Sequence, residues 1–207
     1  MTSFPNVSGM PSSATRVVFT GLPVRSEFLA AAGSALPGAS RLLVTGGSLG
    51  AQILDQVVPT AVASLKNKKI FVTHQTRPEN VEKLQRFYAD NGIRANVLSF
   101  IHDMAGAIAG ADLVIGRSGA STVVELQTIG RPAILVPLGI NPDQAANAAS
   151  FAKTGGGFAI EQSRFTAKWL SSTLSELFEN PLRLQKMAAK ALTPNNAVDL
   201  ICDEVTK

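Results

Sequence analysis

The chain has 207 residues, of which 45% are hydrophobic and 16% charged, and this length fits one large globular domain or two small ones. Its single cysteine, Cys202, excludes an internal disulfide framework, and no Cys/His cluster has the spacing of a zinc site. The formal charge of +4 is compatible with anionic ligands, but the basic residues are scattered and aromatic residues make up only 6%, which argues against nucleic-acid binding.

Neither a membrane span nor an export signal is predicted. No uninterrupted apolar run approaches the roughly 18 residues that a spanning helix needs. The first 15 residues lack the basic head and the apolar segment of a signal peptide. Together with the lone cysteine, these features predict a cytosolic, reducing compartment.

The opening segment, residues 1–39, is predicted to be a linker that leads into a domain, because it is rich in Pro, Ser and Gly and contains one apolar run at 17–20. Beyond it, short apolar runs alternate with segments of helical period, the pattern of a parallel sheet with crossover helices. Strands are predicted at 41–45, 70–73, 95–99, 113–115, 133–136 and 158–160. Helices are predicted between them at 51–65, 79–91, 104–109, 121–129 and 144–153.

The predicted fold is therefore α/β: a Rossmann-like, doubly wound core over 40–165 with a six-stranded, mainly parallel sheet. After the sixth strand, helices are predicted at 166–178 and 182–192, and Pro194 precedes a last helix. Residues 166–207 are expected to pack on the same domain. Ligands of such sheets bind at the carboxyl ends of the strands.

A glycine-rich turn follows the first strand and opens the first helix of the core. Gly46, Gly47, Ser48, Leu49 and Gly50 are expected to place unpaired main-chain N–H groups and a helix N-terminus at one point, which favours an anion. Glycines let a ligand approach the main chain, and the Ser48 hydroxyl adds a hydrogen bond. The pattern is neither G-x-G-x-x-G nor a Walker loop, so it does not favour nicotinamide or ATP.

Two alternatives stay open for this turn. The same residues spell G-x-S-x-G, the nucleophile elbow of serine hydrolases, with Ser48 as nucleophile. That chemistry needs a histidine base late in the chain, whereas the two histidines, His74 and His102, fall in the middle of the predicted sheet. The turn could also connect strand and helix without binding a ligand.

A second small-residue turn follows the fourth strand and contains Ala120, Ser121 and Thr122. Ser121 or Thr122 is expected to cap the next helix, and Glu125 lies one turn into it. Glu125 could complete a capping box with Thr122. Alternatively, its carboxylate could accept hydrogen bonds from the vicinal hydroxyls of a ribose.

Polar groups also follow the third and fifth strands. The run Phe100, Ile101, His102, Asp103 offers main-chain groups that could read a base edge, although Asp103 could simply cap a helix. After the fifth strand, Asp143, Gln144 and Asn147 supply the carboxylate and amides that sugar hydroxyls need, and Asp143 is also a candidate helix cap.

In this order and spacing the motifs resemble the donor-binding half of the MurG family of UDP-N-acetylglucosamine transferases, which make lipid II. The resemblance runs from about Thr20 to the end of the chain. Besides the turns described above, it is carried by residues 20–25, Pro132, Pro137 and Ala148. It departs from the family at Leu22, where Asn is usual, and at His102, where an acid is usual.

The resemblance implies one half of a GT-B glycosyltransferase that binds UDP-N-acetylglucosamine. It implies that Ile101 reads uracil through its main chain, that Glu125 holds the ribose, and that Gln144, with Asp143 beside it, meets the sugar hydroxyls. The residues implied to bind the diphosphate are Arg25, Gly46, Gly47, Ser48, Gly50, Ala120, Ser121 and Thr122. Gly47 and Ser48 would stabilise the UDP leaving group of an inverting transfer, and no catalytic base is expected among these residues.

The family's N-terminal domain, which binds the lipid I acceptor and meets the membrane, has no counterpart in these 207 residues. The chain starts at the equivalent of the interdomain linker, so it is expected to bind donor without transferring it. The complete enzyme is expected to be cytoplasmic and peripheral to the inner face of the bacterial plasma membrane. No metal or cofactor is expected, since no Asp-x-Asp pair is present. A non-catalytic nucleotide-sugar-binding module stays open as an alternative.

Overall fold

The computed structural model describes residue 2 and residues 17–47, 50–65 and 69–206. The strands are β1 Arg41–Thr45, β2 Phe71–Gln75, β3 Arg94–Leu98, β4 Leu113–Gly116, β5 Ala133–Leu135 and β6 Gly157–Ala159. The α-helices are α1 Ser26–Ala30, α2 Gln52–Ala63, α3 Val81–Asp90, α4 Met104–Ala109, α5 Ala120–Ile129, α6 Pro142–Thr154, α7 Ala167–Glu179, α8 Pro181–Ala191 and α9 Ala197–Val205. A short 3-10 helix, Pro78–Asn80, precedes α3.

The six strands form one parallel sheet in the order β3-β2-β1-β4-β5-β6. This order is that of a doubly wound nucleotide-binding fold, so the predicted fold class is confirmed. The strand order reverses between β1 and β4, which pair directly, with Thr45 opposite Gly116 at their carboxyl ends. The topology therefore places the candidate turns on either side of a single crevice.

Side chains alternate between the two faces of the sheet, as β1 illustrates. Leu42 and Val44 pack into the core beneath α2, α3, α7 and α8, whereas Leu43 packs into the core beneath α1, α4, α5 and α6. All three side chains are buried. The chain is thus a three-layer α/β/α sandwich, and the helices on each face are fixed by apolar burial.

The part of the opening segment from α1 to residue 39 is held against the sheet by buried polar side chains as well as by apolar contacts. Asp112 accepts hydrogen bonds from the N–H groups of Gly38, Ala39 and Arg41 at 2.6–3.1 Å. Arg131 is fully buried. Its guanidinium donates to oxygens of Ser34, Ala35, Ile108 and Ala109. These contacts order a stretch for which no helix was predicted, although it contains α1.

The C-terminal helices α7 and α8 contribute Leu170, Leu174 and Leu184 to the first core. Helix α8 begins with Pro181 at a first-turn position, as predicted, and Asn180 caps it by accepting from the Arg183 N–H at 3.1 Å. The division into 1–39, 40–165 and 166–207 stays a prediction. Within the described ranges, no helix has the length and apolar character needed to cross a membrane.

Candidate functional site

The glycine-rich turn between β1 and α2 requires glycine at three positions for different reasons. A Cβ on Gly46 would overlap the Ala51 nitrogen and the Gly50 carbonyl carbon. Gly47 has φ +73° with open space around it, and Gly50 has φ +67° with the Arg77 side chain 2.9 Å from a virtual Cβ. The Gly50 N–H donates to the Gly47 carbonyl at 3.1 Å. The Gly47 N–H donates to the Thr45 hydroxyl at 3.3 Å. The expectation of unpaired N–H groups is therefore wrong for Gly47 and Gly50, because the turn folds tightly enough to pair them internally.

Ser48, which was predicted to bind phosphate, lies outside the described residues. Helix α2 begins at Gln52 directly after the turn, and its cap residue, Ala51, supplies no side-chain hydrogen bond. The first N–H groups of α2 therefore face the turn without a side-chain cap, which leaves them available to an anion.

Helix α5 begins earlier than the sequence indicated. Its cap residue is Gly119, which has no side chain, and its first three residues are Ala120, Ser121 and Thr122. The expected cap by Ser121 or Thr122, and the capping box between Thr122 and Glu125, are therefore wrong. Instead, the N–H groups of these three residues form the uncapped first turn of a helix beside the crevice, which is an anion-binding arrangement.

Glu125 lies half-buried on the second turn of α5. Burial raises the pKa of its carboxyl above the ordinary value, an effect that Arg25 opposes and Glu27 reinforces. Arg25 forms an ion pair with Glu27 at 3.1 Å and stacks over the Phe28 ring, 5.2 Å from its centroid. The structure thus places the predicted residues Arg25 and Glu125 close enough for the charge of one to affect the pKa of the other.

Ile101 follows β3 and packs its side chain against the core on the α5 side, where it is only 8% exposed. In the described part of the chain, its main-chain N–H and C=O have no hydrogen-bond partner. The neighbouring Phe100 is 59% exposed, and its ring contacts that of His102 with centroids 4.9 Å apart. The main chain of Ile101, rather than its side chain, is therefore the part able to contact a ligand.

Asp103 caps α4 by accepting from the Gly106 N–H at 2.8 Å, which confirms the capping alternative for this residue. In α6 the cap is Asn141, which accepts from the Gln144 N–H at 3.1 Å. The capping alternative for Asp143 is therefore wrong. Asp143 is exposed in the first turn of α6, where its carboxylate makes no cap.

Gln144 joins two loops of the site. Its Oε1 accepts from the Leu138 N–H at 3.0 Å, and its main-chain carbonyl accepts from the Ser118 hydroxyl at 2.7 Å. Asn147 donates in turn to the Ser118 carbonyl at 3.1 Å. These bonds hold the start of α6 against the turn before α5. The Nε2 group of Gln144 is the part of the side chain that can donate to a sugar hydroxyl.

Arg117 was not assigned a role from the sequence, although it follows β4 directly. It donates to the carbonyls of Val136 and Pro137 at 3.0 and 3.1 Å and to the Gln162 side chain at 3.0 Å. Burial lowers the pKa of its guanidinium. In the sequence, Arg117 stands out only as an arginine among small residues. No local pattern indicates that its side chain connects the loop after β4 to the loop after β5.

The hydrolase alternative finds no support at His74. This side chain is fully buried, and both ring nitrogens are engaged, Nδ1 with the Tyr88 hydroxyl at 2.8 Å and Nε2 with Asp55 at 3.2 Å. No ring nitrogen is left to take a proton from a serine hydroxyl. His74 is thus part of a buried network and not a general base.

Comparison with known proteins agrees with this architecture. Residues 41–202 match the family described as glycosyltransferase family 28 C-terminal domain. The chain is 44% identical over 204 residues, 93% of this chain and 55% of the relative, to the UDP-N-acetylglucosamine--N-acetylmuramyl-(pentapeptide) pyrophosphoryl-undecaprenol N-acetylglucosamine transferase of Methylorubrum extorquens strain PA1. The transferase of the same name from Agrobacterium fabrum strain C58 is 43% identical over 215 residues, 97% of this chain and 56% of the relative.

Among solved structures, Acinetobacter baumannii MurG superposes on the chain with a TM-score of 0.79 and 36% identity. The match covers 99% of this chain and 59% of that one. The chain therefore spans about half the length of the curated relatives it matches.

Proposed function

The chain belongs to the family of glycosyltransferase family 28 C-terminal domains, and we propose that it is the half of an inverting transferase that binds UDP-N-acetylglucosamine. The similarity to the MurG family inferred from the motifs is confirmed, and so is the fold of one GT-B half. One observation carries the proposal: two uncapped helix N-termini, those of α2 and α5, flank the crevice where the strand order reverses, and Glu125 lies one turn away.

The diphosphate is assigned to this pair of helix starts. Its proposed ligands are Arg25, Gly46, Gly47, Ser48, Gly50, Ala120, Ser121 and Thr122. Main-chain N–H groups and helix dipoles bind a diphosphate without requiring a metal ion. The open space around Gly47 supports this assignment, because it leaves the main chain accessible to a ligand. The close packing of Gly46 against Gly50 and Ala51 folds the turn tightly in front of α2.

The nucleoside is assigned to Ile101 and Glu125. The N–H and C=O of Ile101, which have no partner among the residues that the structure describes, match a base edge that presents both an acceptor and a donor, as uracil does. An ionised carboxylate only accepts hydrogen bonds, so Glu125 suits the two hydroxyls of a ribose. The sugar of the donor is assigned to Asp143 and to the amide of Gln144.

In the proposed transfer, an acceptor hydroxyl attacks the anomeric carbon of the sugar, and the bond from that carbon to the diphosphate oxygen breaks with inversion. UDP leaves and gains negative charge. Preorganised N–H donors at the diphosphate stabilise such a transition state more than the ground state. We assign this role to Gly47 and Ser48 of the turn together with the first N–H groups of α2 and α5. We assign the acceptor, lipid I, the general base and the membrane contact to the acceptor half of the complete enzyme, peripheral to the inner face of the membrane.

Calorimetric titration of the chain with UDP, UDP-N-acetylglucosamine and ADP tests the proposal. We expect UDP and UDP-N-acetylglucosamine to bind and ADP to bind at least about tenfold more weakly, since ADP lacks the uracil edge. Glu125→Ala is expected to weaken UDP binding, whereas Glu82→Ala, at an exposed acid on α3, serves as the matched control. Absence of UDP binding contradicts the proposed function, and equal affinity for ADP contradicts the assignment of Ile101.

A further inference from the structure

Three consecutive residues at the end of β2, His74, Gln75 and Thr76, bury polar side chains beside the glycine turn (residues 46–50). None of them is a proposed ligand of the donor. Their hydrogen bonds nevertheless reach both sides of the glycine turn, one set before it in β1 and one set after it in α2.

On the side before the turn, the Thr45 hydroxyl donates to the Gln75 side-chain oxygen at 2.6 Å. The same hydroxyl oxygen accepts from the Gly47 N–H at 3.3 Å. Thr45 and Gln75 are 5% and 7% exposed. The direction of the Gly47 peptide unit is therefore set by a hydroxyl whose own orientation is set by Gln75, on the neighbouring strand.

On the side after the turn, Asp55 lies in the first turn of α2. Its Oδ2 accepts from the Thr76 hydroxyl at 2.7 Å and from the Asn80 amide at 3.0 Å, and its Oδ1 lies 3.2 Å from His74 Nε2. The other ring nitrogen, Nδ1, lies 2.8 Å from the Tyr88 hydroxyl. The first turn of α2 is thereby tied to β2 and α3.

A network of buried polar side chains has no advantage in stability over apolar contacts between the same elements. Buried polar groups lose their hydration, and apolar residues of similar volume would stabilise the same contact at least as well. What hydrogen bonds supply and apolar contacts do not is a fixed direction for particular N–H groups. Anion sites that work by preorganisation need this direction, because their donors must point at the ligand before it arrives.

We propose that Thr45 and Gln75, together with Asp55, His74 and Thr76, are positioning residues that hold the main chain of the glycine turn and the first N–H groups of α2 in the conformation that binds the diphosphate. This inference rests on the proposed function, because it assigns the orienting residues of the same site. These side chains act on the diphosphate through the main chain and not by touching the donor.

The test compares Thr45→Val, which keeps the β-branched shape and removes the hydroxyl, with Thr45→Ser, which keeps the hydroxyl. The matched control is Thr73→Val in β2, at a half-buried threonine that lies outside both sets of hydrogen bonds. UDP affinity is measured by calorimetry, uridine affinity by ligand-observed NMR, and exchange of the Gly47 N–H with solvent by protein NMR. Asp55→Asn provides a second variant on the other side of the turn.

We expect Thr45→Val to weaken UDP binding by about tenfold, to leave uridine affinity within about twofold of the unsubstituted chain, and to speed exchange at Gly47. Thr45→Ser restores all three values, Thr73→Val changes none, and Asp55→Asn weakens UDP but not uridine. A purely structural role would lower both affinities together or neither.

Unchanged UDP affinity in Thr45→Val, or an equal loss of UDP and uridine affinity, overturns the inference. Failure of the unsubstituted chain to bind UDP is a separate outcome: it contradicts the proposed function, and the inference falls with it.

Discussion

Glu125 is a carboxylate in a position where burial opposes its charge. Burial raises its pKa in the folded chain, although Arg25 acts in the opposite direction. An acid whose pKa is higher folded than unfolded makes the folded state less stable when ionised. This cost is therefore present at neutral pH and disappears as the pH falls below the unfolded-state pKa. Such a cost is typical of residues in functional sites, where stability is given up for activity.

Glu125→Gln is accordingly expected to raise the free energy of unfolding by about 0.5–1 kcal/mol at pH 7. The gain shrinks toward pH 4, because the wild-type carboxyl is then protonated. The same substitution is expected to weaken UDP-N-acetylglucosamine binding, since an amide presents one acceptor where the carboxylate presents two. Urea unfolding and calorimetry measure the two effects. Glu82→Gln is the control, and a loss of stability in Glu125→Gln contradicts the prediction.

At Asp55 the pKa is shifted in the opposite direction from that of Glu125. Burial alone raises its pKa, but the hydrogen bonds from His74, Thr76 and Asn80 and the charge interaction with His74 outweigh burial, and the pKa is lowered. Other ionisable groups near it are Tyr88, bonded to His74, and Arg77, Glu79 and Lys83, which line the same cavity. An acid with a lowered folded-state pKa stabilises the fold above its unfolded-state pKa and loses this contribution as the pH falls.

Asp55→Asn is therefore expected to cost about 1.5–3 kcal/mol of unfolding free energy at pH 7, the range for hydrogen bonds to a charged group. The difference from the unsubstituted chain should diminish as the pH falls below about 4, first through the unfolded-state pKa and then through the lowered folded-state pKa. Urea unfolding between pH 3 and pH 7 measures this. Asp143→Asn, at an exposed residue, should leave the profile unchanged, and a constant difference across the range contradicts the assignment.

Among single residues, the sequence predicted those that stand in local patterns and missed those that act across the sheet. Glu125 and Arg25 were assigned from motifs, and the structure brings them together. Thr45 and Gln75 are 30 positions apart, and their bond exists only because β1 and β2 pair in one register. No local signal in either strand distinguishes these polar ends from ordinary strand termini.

At the level of elements, the glycine turn offers a direct test of backbone geometry. Gly46→Ala is expected to be the most damaging substitution, because a Cβ would overlap the main chain of Gly50 and Ala51. Gly47→Ala meets open space and incurs only the strain of a positive φ, about 1–2 kcal/mol. Gly139→Ala has neither a contact nor a positive φ and is the control. Urea unfolding and UDP titration should rank the variants in this order, and equal effects at positions 46 and 47 would contradict it.

All six predicted strands exist, with ends displaced by no more than two residues, because continuous apolar runs are a strong signal for buried parallel strands. The starts of α2 to α8 were predicted within the same margin, but the cap of α5 was not. Ser121 and Thr122 have the chemistry of caps, yet α5 begins before them at Ala120. Where a helix starts depends on the path of the preceding loop, which here is held by Ser118 and Arg117 through contacts with distant segments. That path cannot be read from the residue types at the helix end.

For the molecule as a whole, we expect the 207-residue chain by itself to bind UDP-N-acetylglucosamine and to form no lipid II. The reason is its extent: it matches 55% of its Methylorubrum relative, and the proposed sites on it are all for the donor. Incubation with donor and a lipid I analogue, followed by product separation, measures transfer, with a complete relative as positive control. Lipid II formed at the rate of the complete relative contradicts the assignment of the acceptor site to the other half.

The hydrogen bonds of Arg131 and Asp112 also decide how short a folding unit can be. The family match starts at residue 41, but Ser34, Ala35, Gly38 and Ala39 satisfy those two buried charges from the preceding segment. A polypeptide that began at residue 41 would leave the buried Arg131 guanidinium and Asp112 carboxylate with too few hydrogen-bond partners. It would also expose the part of the core that Phe28 covers. The folding unit is consequently expected to be longer than the segment that the family model matches and to begin upstream of α1.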